Sequence, residues 1–170
     1  MASGRRWVAL LLLAAASCAH AARAEPTGDD YDPYELSLPD TRGQPVSLGD
    51  YRGKLLVVNF FATWCFPCLG LLPLLIEAQQ KDGAAGLQVV GIGLDREAEL
   101  VLEPFREFYR IPYPILVGAD RFAEPGLPLG PIHTLPTTVV ISRSGRILAR
   151  WEGVLPRPLL DAMIAHDLAR

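Results

Sequence analysis

Cysteine and histidine are scarce in this chain of 170 residues, which has three of each. A structural zinc site takes four such ligands, with a second Cys or His pair to match the first. Here the only close pair is Cys65 and Cys68, and neither His133 nor His166 has a cysteine or histidine beside it. The sequence therefore argues against structural zinc and against a domain held together by several disulfides, and we expect no cofactor.

Positive charge is also in short supply. Sixteen Lys and Arg residues against 19 Asp and Glu give a net charge of −3 and a pI near 5.6. No segment combines clustered basic residues with spaced aromatic ones, which argues against a nucleic-acid partner. Gly91 and Gly93 follow an apolar run, but Arg96 stands where a dinucleotide fingerprint has its third glycine.

No apolar run reaches the roughly 20 residues that a transmembrane helix needs. Arg5 and Arg6 precede the stretch from residue 7 to residue 17, which is too short to span a bilayer comfortably. This pattern predicts a signal peptide over residues 1–24, cleaved after Ala24. We therefore expect an exported, periplasmic protein, in a compartment where disulfides persist.

A second interpretation of the N-terminus remains open. The letters "AAASC" resemble a bacterial lipobox, in which Cys18 is lipidated and becomes the new N-terminus, although Ala15 stands where a leucine is usual. An uncleaved anchor is the third alternative. Membrane contact is expected only through this N-terminal region, and Cys18 is not expected to take part in redox chemistry.

The rest of the chain predicts one domain. Half of the residues are apolar, which is enough for one good-sized core. The polar, turn-rich residues 25–34 predict a linker, and residues 35–170 predict the domain. Apolar periodicity predicts the order β, then β-α-β-α-β, then β-β-α, with the segment "PDTRGQPVSLGDYRGK" supplying turns. Strands that alternate with helices predict an α/β fold with a central mixed sheet flanked by helices.

Cys65 and Cys68 occur where a buried strand, Leu55 to Ala62, gives way to a predicted helix. A cysteine at a helix N-terminus meets unpaired N–H groups and the positive end of the helix dipole, which favour its thiolate. Cys68 lies one turn on, within bonding distance, and should be the more buried of the two. Cys65 can then attack a disulfide and Cys68 can resolve the mixed disulfide. Pro67 suits the first helical turn because it lacks an N–H.

A copper chaperone is an alternative, because two thiols and the imidazole of His133 suit copper. The acids Asp95, Glu97 and Glu99 predict a solvated helix start.

Three stretches carry a family resemblance: "VVNFFATWCFPC", "GQPVSLGDYRGK" before it and "LPTTVVISRSGRI" near the end, together with Pro73 five residues after Cys68. Across about residues 35–166 the chain resembles the TlpA/ResA-like exported thiol-disulfide oxidoreductases of the thioredoxin-like superfamily. The resemblance implies a thioredoxin-like fold. It also implies protein thiol or disulfide substrates, a membrane redox partner that recharges the site, and a monomer.

The resemblance assigns roles to individual residues. Cys65 would be the exposed nucleophile and Cys68 the resolving thiol. Trp64 would shape the surface where a substrate docks. Pro136 would be a cis-proline opposite the disulfide, with Leu135 offering backbone hydrogen bonds to an extended substrate.

Some positions depart from relatives. Asn59 stands where thioredoxins have a buried aspartate, and Leu71 where ResA-like proteins of cytochrome maturation have a glutamate. A peroxiredoxin-like peroxidase is a further alternative, although peroxiredoxins, which share the fold, need a threonine where this chain has Ala62. The Phe66–Pro67 pair lacks the histidine of the strongly oxidising DsbA type, so we expect a reductant or isomerase.

Overall fold

A computed structural model describes residues 31–123 and 126–169 of the chain. Its strands are β1 Ser37–Pro39, β2 Pro45–Ser47, β3 Leu55–Phe61, β4 Leu87–Gly93, β5 Ile115–Val117, β6 Thr137–Ile141 and β7 Ile147–Glu152. Its α-helices are α1 Phe66–Asp82, α2 Ala98–Phe108 and α3 Arg157–Leu168. The structure therefore confirms the predicted α/β class.

The central sheet has the strand order β5-β4-β3-β6-β7. Strands β3 and β4 run parallel in the middle, and every residue of both is buried, as their largely apolar sequences predict. β6 and β7 add to the sheet antiparallel, so the sheet is mixed. Because β3 and β4 are parallel, the helices that follow them, α1 and α2, begin at the same end of the sheet.

Two apolar clusters cover the two faces of the sheet. One joins buried residues of all three helices to alternate residues of the strands, among them Leu55, Val57, Leu71, Leu102 and Leu160. The other joins residues 34–48 and Phe122 to the opposite strand face, which carries Leu56, Val58 and Phe60. The three helices thus contribute to one face of the sheet.

The N-terminal part of the domain differs from its prediction in two places. Tyr34, assigned to the linker, is buried under the guanidinium of Arg52, 4.1 Å from the ring centroid, so the folded part begins before residue 35. Residues 45–47, assigned to turns, form β2 and pair with β1. A strand of three residues is too short to produce a recognisable apolar alternation.

Both helices with an internal proline are continuous. α1 runs through Pro73, and α2 runs through Pro104. Among residues 31–123 and 126–169, no helix has the length and hydropathy needed to cross a membrane. The predicted signal peptide and Cys18 lie outside the described residues.

Candidate active site

The turn between β3 and α1 carries the site. The Cys65 N–H donates to the Ala62 carbonyl at 3.1 Å and closes this turn. Cys65 is the N-cap of α1, and its Sγ accepts a hydrogen bond from the Cys68 N–H at 3.3 Å. Pro67 lies in the first helical turn, as predicted. The sequence therefore places a sulfur atom at the position that normally holds a capping oxygen.

Cys65 and Cys68 form a disulfide, with Sγ atoms 2.05 Å apart and Cα atoms 5.3 Å apart. The expectation that Cys65 is exposed and Cys68 more buried is wrong for this oxidised form, because both residues are 5% exposed. Bonded sulfurs cover each other, and the helix turn covers both. A difference in access can arise only after reduction separates the two sulfurs.

Two large side chains project into solvent on either side of Cys65. Trp64 is 73% exposed and Phe66 is 84% exposed. Soluble proteins bury most of their aromatic area, so two exposed rings beside a disulfide mark a candidate contact surface. That this surface receives a substrate stays a prediction.

The Leu135–Pro136 peptide bond is cis, which confirms the expectation for Pro136. β6 begins at Thr137, which lies opposite Phe60 of β3, so this peptide is at the same end of the sheet as the β3–α1 turn. Leu135 is half-buried and contacts both apolar clusters. Substrate binding by Leu135 and Pro136 stays a prediction. A second cis bond, Gly130–Pro131, was not anticipated.

Neutral groups occupy both positions where relatives have carboxylates. Asn59 is buried, and its Nδ2 donates to Thr138 Oγ1 at 3.0 Å and to the Thr137 carbonyl at 3.4 Å. The amide therefore joins β3 to β6. Leu71 is buried in the apolar cluster under α1. Neither residue can take up a proton from Cys68.

Asp95 is the functional candidate that the sequence missed. Predicted as a solvated helix acid, it is 4% exposed and lies two residues after β4. Its carboxylate accepts hydrogen bonds from the Thr63 N–H, at 3.1 and 3.2 Å, and from Thr63 Oγ1 at 2.7 Å. An acid directly after a buried parallel strand was the available signal, because parallel strands bring their carboxyl ends to one edge.

The three-ligand copper site is not assembled in the part of the chain that the structure describes. No three His, Cys, Asp or Glu side chains there are close enough to hold a metal ion. His133 is exposed on the loop before β6. The cysteine pair therefore lacks the third ligand that the copper hypothesis assigned to it.

A model of the AhpC/TSA family matches residues 31–150. The chain belongs to the AhpC/TSA family. The match includes the β3–α1 turn, both cysteines, Asp95 and the Leu135–Pro136 bond.

Two curated relatives share the name ResA. The chain is 25% identical over 136 residues to the thiol-disulfide oxidoreductase ResA of Bacillus subtilis, which covers 80% of this chain and 74% of the relative. It is 31% identical over 113 residues to ResA of Geobacillus kaustophilus, covering 66% of this chain and 63% of that one. The TlpA/ResA-like resemblance is thereby confirmed.

Solved structures of two further proteins are similar to this chain over most of its length. A thiol:disulfide interchange protein of the thioredoxin family from Chlorobium tepidum is 27% identical, with a TM-score of 0.68, covering 86% of this chain and 99% of that one. A DsbF homologue from Corynebacterium diphtheriae is 26% identical, with a TM-score of 0.69 and coverage of 78% and 84%. The thioredoxin-like fold is confirmed, and the relatives support an enzyme of the thiol-disulfide oxidoreductase class.

Proposed function

We propose that the chain exchanges its Cys65–Cys68 dithiol and disulfide with protein substrates, in the direction that reduces the substrate, in an extracytoplasmic compartment. The observation that carries this proposal is the disulfide at the N-terminus of α1, with exposed Trp64 and Phe66 beside it. A redox-active pair needs this combination of a thiolate-stabilising helix end and a surface that a protein can contact.

The chemistry starts from the reduced pair. The Cys65 thiolate attacks one sulfur of a substrate disulfide, forming a mixed disulfide and releasing the first substrate thiolate. Cys68 then loses its proton and attacks Cys65 Sγ, which releases the second substrate thiolate and closes the Cys65–Cys68 bond. Two electrons pass from the enzyme to the substrate, and the two substrate thiolates take up protons from solvent.

Helix α1 assigns the two sulfurs their roles. The Cys68 N–H points at Cys65 Sγ, and the first turn of α1 holds no acidic side chain. Both features favour negative charge on Cys65 rather than on Cys68. Since Asn59 and Leu71 provide no carboxylate near β3 or α1, the Cys68 proton must leave through water, the backbone or another group.

The reducing direction rests on the residues between the cysteines. Neither the Phe66 nor the Pro67 side chain can donate a hydrogen bond or carry positive charge to stabilise the thiolate further. A less stabilised thiolate makes the dithiol a stronger reductant. A reductant must itself be recharged, so a membrane redox partner belongs to the proposal, as does export by the N-terminal segment or a lipid on Cys18. We propose that the enzyme acts as a monomer.

Peroxidase activity is not part of the proposal. Ala62 has no hydroxyl to hold a peroxide, and Thr63 donates its hydroxyl to Asp95. Turnover of hydrogen peroxide at a rate comparable with disulfide exchange would contradict this exclusion.

Trapping tests the proposed function. The Cys68→Ser variant should accumulate mixed disulfides between Cys65 and exported proteins, because the resolving thiol is absent. The Cys65→Ser variant is the matched control and should trap none. Absence of adducts, together with no reduction of a model disulfide by the dithiol form, would overturn the proposal. The mass of the N-terminal peptide distinguishes cleavage after Ala24 from lipidation of Cys18.

A further inference from the structure

The active-site turn is held by a carboxylate from another part of the chain. Asp95 belongs to the loop between β4 and α2, 32 residues after Thr63. The two loops also meet through the backbone, since the Leu94 N–H donates to the Phe61 carbonyl at 2.8 Å. That bond brings Asp95 to the β3–α1 turn, and the buried carboxylate then accepts from both the N–H and the hydroxyl of Thr63.

Thr63 occupies the middle of the turn that delivers Cys65. Ala62 accepts the closing hydrogen bond of this turn from Cys65, so Thr63 and Trp64 are its two central residues. The N–H and the hydroxyl of Thr63 both donate to the Asp95 carboxylate, and these hydrogen bonds fix the backbone direction at Thr63. The next residues along the chain are Trp64, which is exposed, and Cys65, which is buried. The backbone direction at Thr63 therefore determines where both of them lie.

We infer that Asp95 is a positioning residue of the disulfide exchange, an inference that rests on the proposed function. It acts through Thr63 to keep Cys65 Sγ at the N-terminus of α1 and Trp64 at the surface beside it. Asp95 exchanges no proton or electron with the substrate in this role. Its effect is to hold the attacking sulfur in line during exchange, when reduction has removed the Cys65–Cys68 bond and the turn has lost one of its restraints.

A carboxylate suits this role better than a neutral amide such as that of Asn59. Hydrogen bonds to a charged acceptor are stronger than neutral ones, and one carboxylate can accept from two donors at once. Burying a charge is costly, so an acid of 4% exposure that bonds the active-site turn is hard to explain as a surface residue.

Exchange kinetics in a matched series test the inference. Asp95→Ala should lower the second-order rate constant of the dithiol form with a model disulfide by about tenfold, the loss expected for hydrogen bonds to a charged group. Thr63→Val, which keeps the side-chain shape but removes the hydroxyl, should lower it by about threefold, and Thr63→Ser, which keeps the hydroxyl, should leave it within about twofold. Glu97→Gln removes a charge from the same loop but removes no hydrogen bond to Thr63, so it should leave the rate constant unchanged.

Rate constants are expressed per folded molecule, with the folded fraction measured by circular dichroism. A residue that only stabilises the fold would change that fraction and not the rate constant. Asp95→Ala combined with Thr63→Val should be no slower than Asp95→Ala alone, because both changes remove the same contact. Unchanged rate constants in Asp95→Ala and Thr63→Val, or equal losses in Thr63→Val and Thr63→Ser, would overturn the inference.

The proposed function can fail separately. If the wild-type dithiol exchanges with no disulfide, that proposal fails, while alkylation of Cys65 by iodoacetamide still reports on the turn. Slower alkylation in Asp95→Ala and Thr63→Val than in wild type and Thr63→Ser supports the positioning role. Equal alkylation in all four proteins contradicts it.

Discussion

Two helices begin side by side at one end of the sheet and use their N-termini differently. α1 starts at Cys65, whose sulfur accepts the Cys68 N–H, and its first turn holds no acid. α2 starts at Glu97, whose side chain makes no capping bond, and Glu99 lies in its first turn. Both helix ends present backbone N–H groups that lack partners within the helix, and both present the positive end of a helix dipole.

The difference shows what makes one strand-to-helix turn reactive. At α2 the carboxylates of Glu97 and Glu99 place fixed negative charge at the helix end, although neither makes a capping hydrogen bond. At α1 the N-cap position holds the sulfur of Cys65, which is neutral as a thiol or disulfide and charged only as a thiolate. The nearby acid, Asp95, bonds Thr63 instead of the helix end. The positive end of the α1 dipole is therefore available to the Cys65 thiolate.

The largest expected effect comes from exchanging the two N-cap residues for inert ones. Cys65→Ala should abolish disulfide exchange, lowering the rate by more than about a thousandfold, because the nucleophile is gone. Glu97→Gln should leave the rate within about twofold. Reduction of a model disulfide, followed by absorbance, measures both. Comparable losses in the two variants would mean that the helix ends are not distinct in function.

A carboxylate placed beneath the α1 turn should be costly. Asn59→Asp replaces an amide that donates to Thr138 and the Thr137 carbonyl with a group that cannot donate when ionised, and we expect a loss of about 1–3 kcal/mol at pH 7. Burial raises the pKa of such a carboxyl above its unfolded value. The destabilisation should therefore be small below that unfolded pKa and grow as the pH rises through the folded one.

Urea unfolding at pH 4 and pH 7 measures this dependence. Asn59→Ala is the control, since it loses the same hydrogen bonds without adding an ionisable group. Its cost should not change between the two pH values. A cost of Asn59→Asp that is equally independent of pH would contradict the prediction.

Charge at Phe66 should tune Cys65 in both directions. This side chain is exposed, so substitution there leaves the core intact. Protonated His in Phe66→His should lower the Cys65 pKa by about half a unit, and Phe66→Glu should raise it by a similar amount, from charge interactions of about 0.3–1 kcal/mol at a helix end. The reduction potential should then rise by at most about 20 mV in Phe66→His and fall by at most a similar amount in Phe66→Glu.

Phe66→Gln separates the charge effect from loss of the ring and should lie between the other two variants. Equilibration with glutathione at pH 6 measures the potentials. Shifts of the same sign in Phe66→His and Phe66→Glu would show that the ring, and not the helix field, sets the potential.

The smallest effect on disulfide exchange is expected at Glu103, a carboxylate of α2. Glu103 accepts hydrogen bonds from Arg106 and Thr41, which lower its pKa from 4.5 to about 2. A lowered folded pKa contributes stability above pH 4.5 that is lost as the pH falls through 2. Glu103→Gln should cost about 1 kcal/mol at pH 7, since the partly exposed pair is screened by solvent.

Thermal unfolding at several pH values between 2 and 7 follows this cost, which should shrink toward the acid end. The rate of disulfide exchange should be the same as in wild type. A slower exchange would mean that α2 carboxylates support the chemistry as well as the fold.

Local patterns explain what could be predicted. β3 and β4 are long buried runs, and Cys65 and Cys68 are three residues apart, so strand, helix start and disulfide all follow from contiguous sequence. The contacts that escaped prediction join distant segments. Asp95 meets Thr63 across 32 residues, and Tyr34 meets the Ser142 carbonyl across 108. No pattern within either segment identifies its partner, although the place of Asp95 just after a buried parallel strand indicates the sheet edge where Thr63 also lies.

The same limit applies to exposure. Sequence position correctly placed Cys65 at the helix start but could not show that the closed disulfide buries both residues to the same extent. Burial depends on how neighbouring segments pack around the turn, among them the loop that carries Asp95. Measurements on the reduced protein show which of the two thiols is the more accessible.

Alkylation of the reduced protein by iodoacetamide, followed by mass spectrometry across pH 4 to 10, tests the central claim most directly. The helix end predicts that Cys65 reacts first, with an apparent pKa below the value of about 8.5 for a free cysteine, while Cys68 stays unmodified in that range. Modification of Cys68 before Cys65, or a Cys65 pKa at or above that of free cysteine, would contradict the account.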